Sequence, residues 1–221
     1  MIILGYILFS VLSALAVYSI RNKKSSYYFV SAFVAAQWAF TVYEYFHLNE
    51  SQFEYFLPDA IGIILLAVLS VLSVTSFIYS FIYLEKRGDD NRIKSIYLAA
   101  FIMLIMSLSC AYIANHVAIA WIFVELTTLF SSILIYHRRT ERSLEGSWKY
   151  IFICSVSVSF IFIGILFLGL AGEEAEIGEL FYTNLSANAE ILNSFWLKAA
   201  FLFLFTGYTA KSGLVPMYTA G

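Results

Sequence analysis

The sequence has 221 residues, of which 61% are apolar and 13% are charged, with a formal net charge of −2. Soluble domains carry about 25% charged residues because water must wet their surface, so this composition excludes an ordinary soluble protein. The small net charge, with no dense basic stripe, also excludes a nucleic-acid partner. The apolar residues instead form runs long enough to cross the hydrocarbon core of a bilayer, which takes about 20 helical residues.

Seven such runs follow one another along the chain, and each predicts a membrane-spanning helix. They are continuously apolar rather than alternating, which favours helices over the strands of a β-barrel. Short linkers and only two prolines leave no room for a soluble domain, so we predict one transmembrane domain over residues 1–221, an all-α polytopic helix bundle. The predicted spans are residues 2–20, 27–46, 60–84, 96–113, 117–136, 148–171 and 195–216.

The charged residues divide between the two sides of the predicted bundle. Three basic residues follow the first span, four follow the third, and four lie around the connection from the fifth span to the sixth. We call this the basic side, and it holds Arg21, Lys23, Lys24, Lys86, Arg87, Arg92, Lys94, Arg138, Arg139, Arg142 and Lys149. The opposite loops, the acidic side, hold Glu50, Glu54, Asp59, Glu173, Glu174, Glu176, Glu179 and Glu190 and no basic residue. By the positive-inside rule we expect the basic side to be cytoplasmic, with the N-terminus outside an inner (plasma) membrane.

Glu125 lies inside the fifth predicted span. A charge at the bilayer centre costs about 2.5–3.5 kcal/mol, so a carboxyl there needs a reason. Its helix face also holds Trp121, Thr128 and Ser132, which form a narrow polar seam. This pattern favours a proton or ion pathway, and the alternative is a carboxyl that is protonated or paired for helix packing.

Lys211 is the second ionisable residue inside a predicted span. Gly207, one turn earlier, allows a neighbouring helix to approach closely, and Pro216 removes a backbone hydrogen bond just beyond the lysine. A locally opened helix beside a lysine is typical of an ion pathway, and the alternative is a lysine that extends to the basic surface. Helical rise places Lys211 roughly 7–10 Å nearer the basic side than Glu125, so contact requires tilt, an extended lysine or water.

Other polar residues in the predicted spans carry weaker indications. Lys149 begins the sixth span, where anchoring at the basic side explains it from the residues alone. We expect Glu44, near the acidic end of the second span, to be solvated, and Lys198 to extend to the same surface. Cys110 and Cys154 are isolated, with no metal or disulfide spacing, so no cofactor is expected.

Four sequence motifs lie on the predicted spans. The fifth span carries WIFVELTTLFSSILI over residues 121–135, the sixth begins with EGSWKYI over residues 145–151, and the seventh carries GYTAKSGLVPM over residues 207–217. The third span contributes Pro58, Asp59, Ala60, Tyr79, Ser80, Tyr83 and Leu84. Together these motifs resemble the antiporter-like subunits of complex I and of membrane-bound hydrogenases and formate hydrogenlyases; they stand in that family's order and cover most of residues 55–217.

The resemblance implies the first part of an inverted-repeat antiporter-like fold, and proton translocation driven by a redox partner elsewhere in a larger complex. Glu125 and Lys211 match the two residues of the family's charge pair, and Lys149 matches its sixth-helix lysine. Gly207 and Pro216 match its broken seventh helix. The resemblance further implies that this subunit binds no flavin, nickel or iron–sulfur cluster. Its expected partners are other membrane subunits, the lipid bilayer, and protons or Na⁺.

Family members continue with a second repeat, which this sequence lacks, so we expect it to be a fragment of a longer protein. Three functional hypotheses follow from the residues. The first is a proton-translocating subunit of an NADH dehydrogenase-like or hydrogenase complex. The second is a subunit of a monovalent cation/proton antiporter, and the third is a non-transporting membrane scaffold whose charges stabilise packing.

Overall fold

The computed structural model describes residues 2–20, 23–88 and 90–213, and this part of the chain is built from α-helices. The all-α fold predicted from the sequence is confirmed. The helices are α1 (Ile2–Ile20), α2 (Lys23–Phe46), α3 (Ala60–Arg87), α4 (Asn91–Tyr112), α5 (Val117–Ile135), α6 (Glu141–Glu174), α7 (Tyr182–Ala187) and α8 (Ser194–Lys211). Pro216 and the end of the seventh predicted span lie outside the described residues.

Within the described ranges, five helices are long and apolar enough to cross a membrane: α1, α3, α4, α5 and α6. Helix α8 is not among them, because its 18 residues include Lys198 and Lys211. Helix α2 is not among them either, and it carries Gln37 and Glu44 within its 24 residues. For α2 and α8, membrane crossing therefore stays a prediction.

The bounds of the long helices follow from local capping chemistry. Asp59 precedes α3 and accepts a hydrogen bond from the Gly62 amide at 2.7 Å, which satisfies one of the helix's free N–H groups. Gly88 ends α3 in the left-handed conformation, at φ 65°, which glycine adopts without a steric cost. Thr140 and Ser143 form a capping box at the start of α6, so that helix begins at Glu141 rather than at residue 148.

The chain divides into two compact units, residues 1–113 with α1–α4 and residues 114–221 with α5–α8. In the first unit, α1 packs against α2 and α4, and α3 packs against α2 and α4. In the second unit, α6 packs against α5 and α8. This division does not test the single transmembrane domain expected from the sequence, which stays a prediction.

A buried polar network joins the four helices of the first unit. The Gln37 side-chain oxygen accepts from the Tyr6 hydroxyl and, at 3.0 Å, from the Ser109 hydroxyl. The Gln37 amide nitrogen donates to Ser70 at 3.5 Å, and the Ser70 and Thr41 hydroxyls are 2.7 Å apart. All five side chains are buried. Because an unpaired polar group in hydrocarbon costs several kcal/mol, mutual pairing is what allows these residues inside the unit.

The expectation that Glu44 is solvated is wrong. Its side chain is 0% exposed, and both carboxylate oxygens accept from the Gln52 amide nitrogen, at 2.7 and 2.9 Å. The connection after α2 folds back on itself, with Asn49 N–H donating to the Pro58 carbonyl at 2.9 Å. The place of Glu44 near the end of α2 predicts that its side chain contacts water. The loop that follows α2 instead covers this side chain.

The second unit depends on close approach of α6 and α8 at two glycines. A Cβ added at Gly207 on α8 would lie 2.7 Å from the Ser157 carbonyl oxygen on α6. A Cβ added at Gly164 on α6 would lie 2.9 Å from the Leu204 amide nitrogen on α8. Both distances are shorter than a carbon atom tolerates, so the two backbones approach as closely as they do because these positions lack side chains.

Gly207→Ala should therefore lower the stability of the full-length protein, because the added methyl group pushes α8 away from α6. The expected loss is about 1–3 kcal/mol, the usual cost of overpacking. The measurement is thermal unfolding in detergent, compared with Gly146→Ala on α6, where nothing lies within 4 Å of the added Cβ. Equal unfolding midpoints for the two variants would contradict the packing argument.

Candidate functional site

The polar seam of α5 faces the other helices of the second unit. The Trp121 indole N–H donates to the Val158 carbonyl on α6 at 3.2 Å. The Ser132 carbonyl accepts from the Ser147 hydroxyl on α6 at 3.2 Å. Thr128, between them, is buried. The four residues predicted to share a face, Glu125 included, thus belong to the side of α5 that packs inside the unit.

Lys211 extends from the last turn of α8 to this seam. Its Nζ donates to the Val124 carbonyl at 2.8 Å and to the Thr128 hydroxyl. The side chain is half-buried, and its ammonium contacts the α5 turn that contains Glu125. The lysine thus reaches the α5 turn that contains Glu125, and its hydrogen bonds go to Val124 and Thr128, so direct contact with Glu125 stays a prediction.

Glu125 is half-buried beside this lysine and is incompletely paired. Its Oε2 atom is buried and accepts no hydrogen bond from the described residues. Glu125 and Lys211 interact electrostatically, yet the ammonium bonds to neutral oxygens of α5 rather than to the carboxylate. The two groups are close enough for the charge of each to act on the other, and they are not locked together by direct contact.

Helix α6 adds two groups that the sequence analysis did not select. Cys154 is buried and interacts electrostatically with both Lys211 and Glu125. The Tyr150 hydroxyl, one turn earlier, lies near the Cys154 thiol and near Ser131 on α5, and it interacts electrostatically with Glu125. The spacing of four residues places Tyr150 and Cys154 on one helix face, but neither is charged, so no sequence signal separated them from ordinary core residues.

Lys149 is not brought to this cluster within the described residues. Its side chain is exposed and pairs with Glu145 at 2.7 Å, one turn earlier on α6. Because one residue corresponds to a rotation of about 100° around a helix, Tyr150 faces α5 while Lys149 faces away. A role for Lys149 in translocation therefore stays a prediction.

The connection from α6 to α8 is tied to the start of α5. The Val117 N–H donates to the Leu180 carbonyl at 3.1 Å, and the Tyr182 N–H donates to the Asn115 carbonyl at 2.7 Å. These two bonds flank a short antiparallel bridge between His116 and Phe181. Together with the glycine contacts, they fix α8, and therefore Lys211, against α5 and α6.

Comparison with known proteins bears on this same region. Residues 114–219 match the family described as NADH:quinone oxidoreductase/Mrp antiporter, transmembrane. These residues are therefore similar to that family. The matched stretch contains both Glu125 and Lys211, and it covers nearly all of the second unit.

Two similar proteins extend the similarity beyond residues 114–219. The hydrogenase-4 component F homolog of Methylacidiphilum infernorum is 24% identical over 206 residues, which are 86% of this chain and 43% of that protein. NAD(P)H-quinone oxidoreductase subunit 2 of Trichodesmium erythraeum is 29% identical over 170 residues, 74% of this chain and 31% of that protein. The chain thus spans less than half the length of these relatives.

A solved structure supports the fold. A chain of the membrane-bound sulfane sulfur reductase, described as an archaeal respiratory membrane complex, matches with a TM-score of 0.83 at 16% identity. The match covers 99% of this chain and 46% of that chain. This match shows the fold, and the family match together with the five apolar helices supports a multi-pass membrane location.

Thr128→Val should destabilise the full-length protein by about 1–3 kcal/mol, because the Lys211 ammonium loses a buried oxygen partner. Thr127→Val is the matched control, since among the described residues the Thr127 hydroxyl bonds to the Val124 carbonyl of its own helix alone, at 2.7 Å. Thermal unfolding of both variants in detergent provides the measurement. A Thr127→Val loss as large as that of Thr128→Val would show that the lysine contact contributes nothing.

Proposed function

We propose that the chain is the front part of a proton-translocating membrane subunit of a redox-driven NADH dehydrogenase-like or hydrogenase complex. Glu125 and Lys211 are the residues that carry the proton. The observation behind this proposal is the position of the Lys211 ammonium, bonded to Thr128 beside a carboxyl whose Oε2 is buried and unpaired. The similarity of residues 114–219 to the NADH:quinone oxidoreductase/Mrp antiporter family supports the same function.

The proposed mechanism depends on the effect that the charge of each group has on the protonation of the other. In a low-dielectric interior a positive Lys211 favours the ionised form of Glu125, and a negative Glu125 favours the protonated form of Lys211. Loss of a proton from Lys211 removes the positive charge, and Glu125 then binds a proton more readily. Because neutral oxygens hold the ammonium, the lysine changes its partner without breaking a direct ion pair, and the proton moves through water between the two groups.

The subunit acts together with other membrane subunits of the complex, which contain the redox chemistry. Relatives named as components of hydrogenase-4 and of quinone oxidoreductase support this assignment. The division of charge between the basic and acidic sides supports a plasma-membrane orientation with the N-terminus outside. The bilayer surrounds the apolar helices, and protons are the transported ion.

Lys211→Met and Glu125→Gln should abolish most of the proton translocation of the complete complex, because each removes one titrating group of the pair. The measurement is the quenching of a pH-sensitive dye in liposomes that contain the reconstituted complex, with electron transfer followed in parallel. Lys198→Met is the matched control, since Lys198 lies on the same helix and is exposed. Its translocation should equal that of the unmodified complex.

Normal translocation in an assembled Lys211→Met complex would overturn the assigned roles and favour the scaffold hypothesis.

Lys149→Ala tests the third predicted residue. Its exposed pairing with Glu145 leads us to expect a smaller loss than for Lys211→Met. A loss as large as that of Lys211→Met would show that Lys149 belongs to the same proton path.

A cation/proton antiporter subunit is the second candidate, and the family description, which includes the Mrp antiporter, favours it. The same pair of charges serves either ion, because Na⁺ and a proton both bind to a carboxylate. The two functions differ in their response to sodium. A redox-driven proton subunit acidifies liposomes in sodium-free buffer, whereas an antiporter moves protons only when a Na⁺ or K⁺ gradient is imposed.

A further inference from the structure

We propose that Glu44 is a proton-binding site of the first unit, and that Gln52 changes its hydrogen-bond partners when the proton binds. This inference does not depend on the roles proposed for Glu125 and Lys211. It rests on a carboxyl that lies outside the matched antiporter stretch, is removed from water, and is paired with an amide of complementary shape.

The hydrogen bonds observed at Glu44 suit its ionised form. A carboxylate has only acceptor atoms, and here both oxygens accept from the single Nε2 of Gln52, at 2.7 and 2.9 Å. The side-chain oxygen of Gln52 is used elsewhere, since it accepts from the Ile3 N–H at 3.3 Å. The Gln52 amide therefore bridges the carboxyl at the end of α2 and the first turn of α1.

Among the described residues, few other titratable side chains surround Glu44, and the N-terminal amino group also acts on it electrostatically. Helix α1 carries no acidic or basic side chain over Ile2–Ile20, and its Tyr6 is engaged in the buried network. His47, on the turn that follows, acts on Glu44 electrostatically, and its Nδ1 lies 2.9 Å from the Tyr43 carbonyl. The loop after α2 contributes Glu50, Glu54 and Asp59, the last of which caps α3.

Proton uptake changes this arrangement in a defined way. A hydronium ion from the aqueous phase beside the loop transfers its proton to a Glu44 oxygen, which forms one O–H bond and leaves water. The neutral acid then has an O–H donor and a carbonyl oxygen acceptor. A primary amide can pair with both, because it has an N–H donor and an oxygen acceptor. Gln52 keeps its N–H bond to the remaining acceptor oxygen and turns its own oxygen to the new O–H. The Ile3 N–H loses that partner and becomes one of the unpaired N–H groups of the first turn of α1.

The position of Glu44 links this event to the interior of the unit. Thr41 and Gln37 lie one and two turns deeper on the same face of α2, and both are buried members of the polar network. Ionisable residues in membrane helices face such interiors rather than lipid. A change of charge at Glu44 is therefore felt by the four-helix network and not by the bilayer.

Infrared difference spectroscopy of the full-length protein in lipid nanodiscs tests the site, comparing mildly acidic with mildly alkaline buffer. Binding of a proton at Glu44 produces the carbonyl band of a buried carboxylic acid, and Glu44→Gln should remove it. Glu50→Gln is the matched control, since Glu50 is exposed in the same loop, and it should leave this band in place. A Glu44→Gln spectrum identical to that of the unmodified protein would overturn the proposal.

Gln52→Leu provides a second test that keeps the carboxyl and does not depend on folding of the Glu44 variant. It removes the complementary amide, so the carboxylic acid band should shift in frequency and its titration midpoint should move.

Hydrogen exchange provides a third test. Glu44→Gln, whose amide mimics the neutral acid, should speed hydrogen exchange at the start of α1 at a fixed pH. An unshifted band in Gln52→Leu, or unchanged exchange in Glu44→Gln, would show that Gln52 does not respond to the proton.

Discussion

The structure depends above all on the rule that a polar group in hydrocarbon must find its partner inside the protein. The network around Gln37 in the first unit and the seam of α5 in the second both obey it. In each case hydroxyl, amide and indole groups are turned inward, and the apolar residues between them are left for lipid. The same rule makes the incompletely paired Oε2 of Glu125 informative, because a buried acceptor without a donor marks a place where a proton or water is expected.

The carboxyls of Glu125 and Glu44 have contrasting surroundings, and the contrast follows from their partners. Glu125 has a lysine nearby that bonds to other oxygens, so the two charges are coupled while both groups stay free to change partners. Glu44 has a neutral amide that uses both of its oxygens. The first arrangement suits transfer of a proton between two groups, and the second suits binding of a proton at one group.

Close packing at two glycines fixes the position of α8 against α6 in the second unit. Lys211 stands at the end of α8, so its reach to Thr128 depends on how near α8 lies to α6 and α5. Gly207 and Gly164 remove the side chains that would otherwise separate the two backbones. Small residues thus contribute to the site without touching the charged groups, as is common where membrane helices pack without a hydrophobic driving force.

The amino-acid sequence was sufficient to predict the apolar helices and to select Glu125 and Lys211 as candidate residues. These features are local, since a run of apolar residues or a lone charge within it has the same meaning in any fold. Tertiary packing settled which groups meet: it buried Glu44 under a loop, left Lys149 exposed, and brought Cys154 near Lys211 and Tyr150 near Glu125. The physical reason is that helix rotation and loop folding are fixed by packing between distant residues, such as Gly207 against Ser157, which no local pattern encodes.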